Sequence, residues 1–278
     1  KELFESILND KSNIDIGYFR CSICTYFAFL NARDSNWCEI HLLDYFKNEQ
    51  PEIFKQAWSG FLWETTCLEA SLAKLFEPLF FNALPKLNYL DKKAQLAFVK
   101  KYTFILVYYT ENPLTEHIPN LITKCGQENR IAFIHCILRC LDAMTMEQKN
   151  ELWTRWLRKY WELRIKNSPC SLETYEVEAM MQWLLSLGEL FPDVVELVIQ
   201  QPPPAHHYFN IVHLLENWEG ITLYPNASVK LLLYILKAEK DCQWHSKTFQ
   251  NIFVKLSNAD LFLRNQLEEI YLKKGISI

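Results

Sequence analysis

Apolar residues recur every three or four positions along almost the whole chain, which is the period of an amphipathic helix. The segment that begins at Pro51 illustrates the pattern, because proline suits the first turn of a helix and apolar residues then repeat at helical spacing. Its predicted buried face consists of Phe54, Ala57, Trp58, Phe61 and Leu62. No segment alternates at period two for long enough to predict a strand. The chain is therefore predicted to be all-α.

Capping residues and prolines divide this pattern into helices of roughly 10 to 20 residues. Ser35 and Ser171 are predicted N-caps, and Asp91 precedes a long helix. Thr145 and Gln148 have the spacing of a capping box. The predicted helices cover residues 18–30, 36–47, 51–62, 68–79, 92–110, 114–124, 128–143, 145–166, 171–188, 191–200, 205–217, 227–237, 246–255 and 260–273.

Successive helix pairs recur at about 40 residues, the spacing of HEAT-like helical hairpins. We therefore predict an irregular α-solenoid of such hairpins, with an irregular helical bundle as the alternative. Residues 1–278 are interpreted as one helical-repeat domain, with a sub-division near 201–205, where three prolines interrupt the pattern. Because the first residue is Lys1, the chain is expected to be a fragment of a longer protein.

Composition supports the helical prediction and narrows the function. The chain of 278 residues contains only 6 glycines, whereas sheet turns and phosphate-binding loops need glycine at positive φ. The net charge of −4 predicts no general attraction to nucleic acid or to anionic membranes. No apolar stretch approaches the roughly 20 residues that span a bilayer. The 9 cysteines lie in apolar helical segments and form no disulfide pattern, so a cytoplasmic location is predicted.

Two pairs of potential metal ligands lie near the N-terminus and have the spacing of a tetrahedral Cys3His zinc site. These zinc candidates are Cys21, Cys24, Cys38 and His41. Both pairs, however, lie within amphipathic helix instead of the glycine- or proline-bearing turns of zinc knuckles. Spacing of three residues is also that of a buried stripe, and cysteine is often buried. Core packing is therefore the favoured interpretation, and no metal or cofactor is predicted.

The predicted helix 151–166 interleaves basic and aromatic residues, a combination that binds single-stranded nucleic acid in some proteins. Its aromatic residues fall on one stripe, which ordinary core packing explains. The basic residues that then face outward are Arg155, Arg158, Lys159 and Lys166. These four are the predicted partner-binding residues, with an acidic protein favoured as the ligand and nucleic acid as the alternative.

The remaining candidates do not form a catalytic motif. His206 and His207 follow the three prolines, and His213 would share a helix face with His206, but no carboxylate or cysteine joins them at ligand spacing. His135, Cys136 and Cys140 suggest a Cys–His pair, but their helix is mostly apolar, and buried thiols are inert. The sequence contains no GxGxxG, Walker, GxSxG or HExxH motif. We therefore predict that this chain is not an enzyme.

The segment 56–63, followed by an apolar helix, resembles the uncharacterised C-terminal helical domain of bacterial sirtuin-like anti-phage defence proteins. The resemblance depends on a Trp-x-Gly-Phe-Leu-Trp stretch. Its positions here, which also have the spacing of packing positions, are Trp58, Gly60, Phe61, Leu62 and Trp63. The resemblance implies a helical sensor or scaffold attached to an NAD-consuming effector that would lie N-terminal to Lys1.

The favoured function is a non-catalytic scaffold or sensor that binds a protein. Continuous amphipathic helices without a catalytic motif present long surfaces that bind other proteins. The expected partner is an effector domain in the same chain, a sister subunit or a phage protein. The alternative is nucleic-acid binding through the helix 151–166.

Overall fold

The computed structural model describes residues 2–9, 16–63, 68–200, 209–238 and 246–276. Within these ranges the regular structure is entirely helical and no strand occurs, which confirms the all-α prediction. The choice between a solenoid and a bundle stays a prediction. The chain divides into two compact units, Lys1–Ile137 and Leu138–Ile278. The sub-division expected near 201–205 lies largely outside the described residues, and the single-domain assignment also stays a prediction.

The first unit is built from short helices followed by longer ones, and α10 contains the boundary between the units. Its elements are α1 (Glu2–Asn9), α2 (Ile16–Thr25), α3 (Phe27–Arg33), α4 (Ser35–His41), α5 (Leu43–Lys47), α6 (Pro51–Trp63), α7 (Ala70–Ala83), a 3-10 helix (Leu84–Tyr89), α8 (Lys92–Tyr108), α9 (His117–Lys124) and α10 (Gln127–Ala143). The helices predicted from Pro51 and after Asp91 therefore begin where the sequence placed them.

An aromatic cluster between α3, α5, α6 and α7 forms the core of this unit. Phe61 stacks on Phe76 with ring centroids 4.0 Å apart, and Phe27 meets Phe76 edge-on at 5.0 Å. The indole of Trp58 is fully buried and donates a 3.1 Å hydrogen bond to the carbonyl oxygen of Phe46. Burying aromatic side chains of this size supplies much of the apolar driving force for folding.

Helices α2 and α6 approach each other so closely that one position admits no side chain. A Cβ atom placed on Gly60 would lie 2.0 Å from the carbonyl oxygen of Cys21. That oxygen belongs to the backbone of α2, and it also accepts a 3.0 Å hydrogen bond from the hydroxyl of Thr25. The glycine is therefore required by helix packing.

The second unit contains a long helix interrupted by one wider turn and a series of shorter helices. Its elements are α11 (Met146–Leu152), a π turn (Trp153–Leu157), α12 (Arg158–Ile165), α13 (Thr174–Met181), α14 (Trp183–Ser186), a 3-10 turn (Gly188–Leu190), α15 (Phe191–Val198), α16 (Phe209–Asn217), α17 (Gly220–Leu223), α18 (Pro225–Ala238), α19 (Ser246–Lys255) and α20 (Leu261–Lys273).

A buried ion pair holds the loop between α12 and α13. The guanidinium of Arg164 donates a 3.1 Å hydrogen bond to Glu176, and both side chains are inaccessible to solvent. The same guanidinium donates to the carbonyl oxygens of Ser168, Cys170 and Ser171 at 3.2, 2.7 and 3.3 Å. One buried cation thus satisfies three backbone acceptors of a loop that has no regular structure.

Two predicted helix caps are wrong, whereas the Thr145 capping box is confirmed. Asp34, not Ser35, caps α4, because the Asp34 carboxylate accepts a 2.9 Å hydrogen bond from the Trp37 amide. Ser171 lies in the loop, and Glu173 caps α13 in a capping box of its own. A carboxylate accepts from the amides of a first turn as a serine hydroxyl does, and it also complements the helix dipole.

Candidate functional site

Helix α8 concentrates positive charge in a chain whose net charge is −4. It contains Lys92, Lys93, Lys100 and Lys101 and no Asp or Glu. Lys92 forms a 3.5 Å ion pair with Glu128. Two of the lysines lie in the first turn, where the positive end of the helix dipole disfavours cations. Their interaction with the helix dipole is therefore unfavourable, and among the described contacts of these two residues only Lys92 has an ion pair that offsets it.

The lysines share the outer face of α8 with aromatic side chains. Lys93, Lys100, Phe104 and Tyr108 follow one another at intervals of seven, four and four residues, which places them on one side of the helix. Lys93 and Lys100 are exposed, and Lys101, Phe104 and Tyr108 are half-buried. The rings of Phe104 and Tyr108 lie with their centroids 4.6 Å apart.

Trp63, the last residue of α6, extends this surface. Its side chain is 73% exposed, and the ammonium of Lys93 lies 5.1 Å from its ring centroid. The prediction that Trp63 is a packing position is wrong, although the other four positions of its motif are buried. We call the surface formed by these residues the lysine–aromatic face. Its members are Trp63, Lys93, Lys100, Lys101, Phe104 and Tyr108.

Sequence reasoning missed the lysine–aromatic face because it judged charge by the chain average. The signal was available, since the predicted helix 92–110 contains four lysines and no carboxylate. The exposure of Trp63 depends on how α6 packs, and the helical period alone does not determine it.

The predicted partner-binding helix offers charge without exposed aromatic rings. Arg158 and Lys159 converge on Glu162 at 3.3 and 3.4 Å, so one carboxylate neutralises part of their charge. Arg155 is half-buried and Lys166 is exposed. The aromatic side chains of this segment, Trp153, Trp156, Tyr160 and Trp161, are all buried. The helix 151–166 therefore provides no aromatic surface on which a base could stack.

The four zinc candidates lie on helices α2 and α4, where their side chains are buried or half-buried. Cys24 and Cys38 are buried and Cys21 is half-buried, while the His41 ring packs 5.1 Å from the Trp37 ring. Burial raises the pKa of the Cys38 thiol to about 11, which disfavours the thiolate. In the part of the chain that the structure describes, no three His, Cys, Asp or Glu side chains are grouped to hold a metal ion.

The other histidine candidates are dispersed. His206 and His207 lie outside the described residues. The ring of His213 lies 3.8 Å from the carboxylate of Glu216 on its own helix. His135 is exposed, whereas the half-buried thiol of Cys136 donates to the carbonyl oxygen of Lys100 at 3.4 Å, and Cys140 is buried.

One polar network that the sequence analysis did not identify joins α7, α8 and α9. The hydroxyl of Tyr102 lies 2.7 Å from Nδ1 of His117, and Nε2 of His117 lies 3.4 Å from the carboxylate of Glu77. Thr110 donates a 2.9 Å hydrogen bond to the same carboxylate. Burial raises the pKa of the Tyr102 hydroxyl well above its usual range, so the group stays protonated and is a poor nucleophile. The network links three helices.

A family model described as a domain of unknown function (DUF4020) matches residues 103–261, more than half of the chain. The chain belongs to the DUF4020 family. No curated protein and no solved structure matches it. The DUF4020 stretch includes the helix 151–166 and the Arg164–Glu176 pair, while the lysine–aromatic face lies across its beginning. The family description names no activity, so the resemblance to sirtuin-like defence proteins stays a prediction.

The described part of this DUF4020 chain has neither a membrane-spanning helix nor a disulfide. Among the described residues, no helix combines the length and the apolar character needed to span a bilayer. No disulfide joins the cysteines in the described part of the chain.

Proposed function

We propose that this chain is a non-catalytic helical scaffold or sensor domain that binds a protein partner. The observation that carries the proposal is a ridge of exposed aromatic residues on α2, α3 and the turn between them. Tyr18, Tyr26 and Phe29 are 78%, 64% and 59% exposed and lie close together in sequence, on α2, on the residue between the two helices and on α3. The guanidinium of Arg33 lies 5.4 Å from the Phe29 ring.

Exposed aromatic and arginine side chains are the types that most often dominate the energy of protein interfaces. The polar groups that converge elsewhere support the same proposal, because the Tyr102–His117–Glu77 network and the Arg164–Glu176 pair both link elements of the fold. The partner is the N-terminal effector, a sister subunit or a phage protein in the cytoplasm, as the resemblance to sirtuin-like defence proteins implies.

Site-specific photo-cross-linking in the full-length protein tests this proposal. Benzoylphenylalanine replaces Tyr26 or Phe29 in turn, and replaces the exposed Asn82 of α7 as a control. We expect the two ridge positions to cross-link to the same discrete protein, which the control position does not capture. The double variant Tyr26→Ala with Phe29→Ala should then lose that protein on co-purification. A folded double variant that keeps every associated protein would show that the ridge is not the interface.

A further inference from the structure

We propose that the lysine–aromatic face binds single-stranded nucleic acid, with bases stacked on Trp63 and on the Phe104–Tyr108 pair and phosphates bound by Lys93 and Lys100. The inference goes beyond the proposed function, which requires a protein partner and a different surface. It depends on two independent observations, namely the exposed Trp63 with the half-buried Phe104–Tyr108 pair and the segregated charge of α8.

The aromatic contribution begins with Trp63. Every other tryptophan in the described ranges is buried or half-buried, whereas most of the Trp63 ring surface is in contact with solvent. An indole that is 73% exposed gives up most of the free energy that its burial would provide. A base has a flat π surface that can cover such a ring, and stacking of this kind contributes about 1–3 kcal/mol per base.

The electrostatic contribution comes from α8. Lys93 and Lys100 are exposed on the same side of the helix as Phe104 and Tyr108, and no carboxylate occurs between residues 92 and 108. Lys92 is paired with Glu128 and is not counted. Cations that alternate with aromatic rings along a groove or ridge are the usual composition of single-strand binding surfaces.

The dimensions of the face fit a short single strand. Lys93 and Tyr108 are fifteen residues apart, which corresponds to about 22 Å along the helix axis. Single-strand sites begin at about four nucleotides. Paired bases in a duplex do not offer their faces to Trp63, so the aromatic rings favour a single strand over a double strand.

Fluorescence anisotropy with a labelled 12-residue oligothymidylate tests the proposal. We expect binding that weakens as salt rises, with a logarithmic slope of roughly −0.7 for each phosphate neutralised. Trp63→Ala should weaken binding roughly 5- to 100-fold at fixed salt, and Trp63→Phe should retain part of the affinity. The double variant Lys93→Gln with Lys100→Gln should reduce the salt slope. Lys124→Gln removes one exposed lysine of the same unit and should have little effect.

An abasic oligomer of equal length and a polyglutamate peptide separate the alternatives. We expect the abasic strand to bind more weakly than oligothymidylate, and only oligothymidylate to discriminate Trp63→Ala from the parent protein. Equal binding of the abasic strand would mean that only charge is recognised, and it would overturn the proposal. Preference for polyglutamate would assign the face to an acidic protein and overturn the proposal. Absence of oligonucleotide binding would also overturn the proposal. The Tyr26→Ala, Phe29→Ala variant should bind oligothymidylate normally, so this test is independent of the proposed protein interface.

Discussion

The close approach of α2 and α6 predicts that Gly60→Ala destabilises the protein. In an isolated helix the same change is favourable by about 1 kcal/mol, because alanine has the higher helix propensity. In this structure the added Cβ would lie 2.0 Å from the Cys21 carbonyl oxygen, whereas ordinary contact begins near 3.4 Å. The two helices must therefore separate by about 1.4 Å at this point unless either backbone distorts.

The obstacle at Gly60 is rigid, so we expect the clash to outweigh the propensity gain. The Cys21 oxygen cannot turn away without losing its hydrogen bond from Thr25. Overpacking of a core costs typically about 1–3 kcal/mol and occasionally more. Subtraction of the helix-propensity gain of about 1 kcal/mol leaves about 0–2 kcal/mol, and because the clash at 2.0 Å is with backbone, we expect a net loss at the upper end, about 2 kcal/mol. A change of 1 kcal/mol shifts Tm by roughly 2–4 °C in proteins approaching this size.

Circular dichroism during heating and during urea titration measures this loss. Gly126→Ala is the matched control, since a Cβ atom on Gly126 would meet nothing within 4 Å. We expect the control to change stability by less than about 0.5 kcal/mol, because lower chain entropy and a weaker N-cap have opposite effects. A Gly60→Ala protein with unchanged or raised Tm would refute the close approach.

Two further predictions concern buried ionisable groups. Arg164→Met should lower the free energy of unfolding, measured in urea, by about 3–5 kcal/mol, because Glu176 then stays buried without its cation. The double variant Arg164→Met with Glu176→Leu should be destabilised less. A single variant whose free energy of unfolding is within about 1 kcal/mol of the parent would contradict this. Burial raises the pKa of Cys38 to about 11 and that of Cys125 to about 12, from the ordinary value of 9.0. As pH rises, these thiols therefore lose their protons in the unfolded chain before they do so in the folded protein. The free energy of unfolding should accordingly fall as pH rises above 9. Urea midpoints at pH 8 and 10 measure the fall, which Cys38→Ala with Cys125→Ala should make less steep. An equally steep fall in that variant would exclude these two thiols as its cause.

The helices were predictable because their signals are local. Repeats of three and four residues and the Thr145 capping box depend only on neighbours in sequence. The structure places the Thr145 cap and the start of the helix after Asp91 as predicted. The errors at Ser35 and Ser171 arose where another residue close by offered a second acceptor, and only the backbone angles decide between two such caps. The partners of Arg164 were not predictable, since its guanidinium binds a loop whose path the helical period does not specify.

The candidate site was less predictable than the fold because exposure depends on tertiary packing. Trp63 continues the apolar sequence of Phe61 and Leu62, but it is the residue at which α6 ends, and its side chain is 73% exposed. The lysines of α8 and their helical spacing to Phe104 and Tyr108 are visible in the sequence. Which face of α8 is exposed, however, depends on how the opposite face packs in the core.

Packing also separates buried from exposed positions within the Trp-x-Gly-Phe-Leu-Trp segment. Trp58, Phe61 and Leu62 are buried in the core, and Gly60 permits the contact with α2, so packing accounts for these four residues without any role in binding. Trp63 is not explained in this way, because most of its ring lies outside the core. Substitution of Gly60 should therefore change stability in proportion to the clash, while substitution of Trp63 should change binding and leave Tm almost unchanged. A Trp63→Ala protein that lost several degrees of Tm would place this residue back among the packing positions and remove the stacking surface on which the nucleic-acid proposal depends.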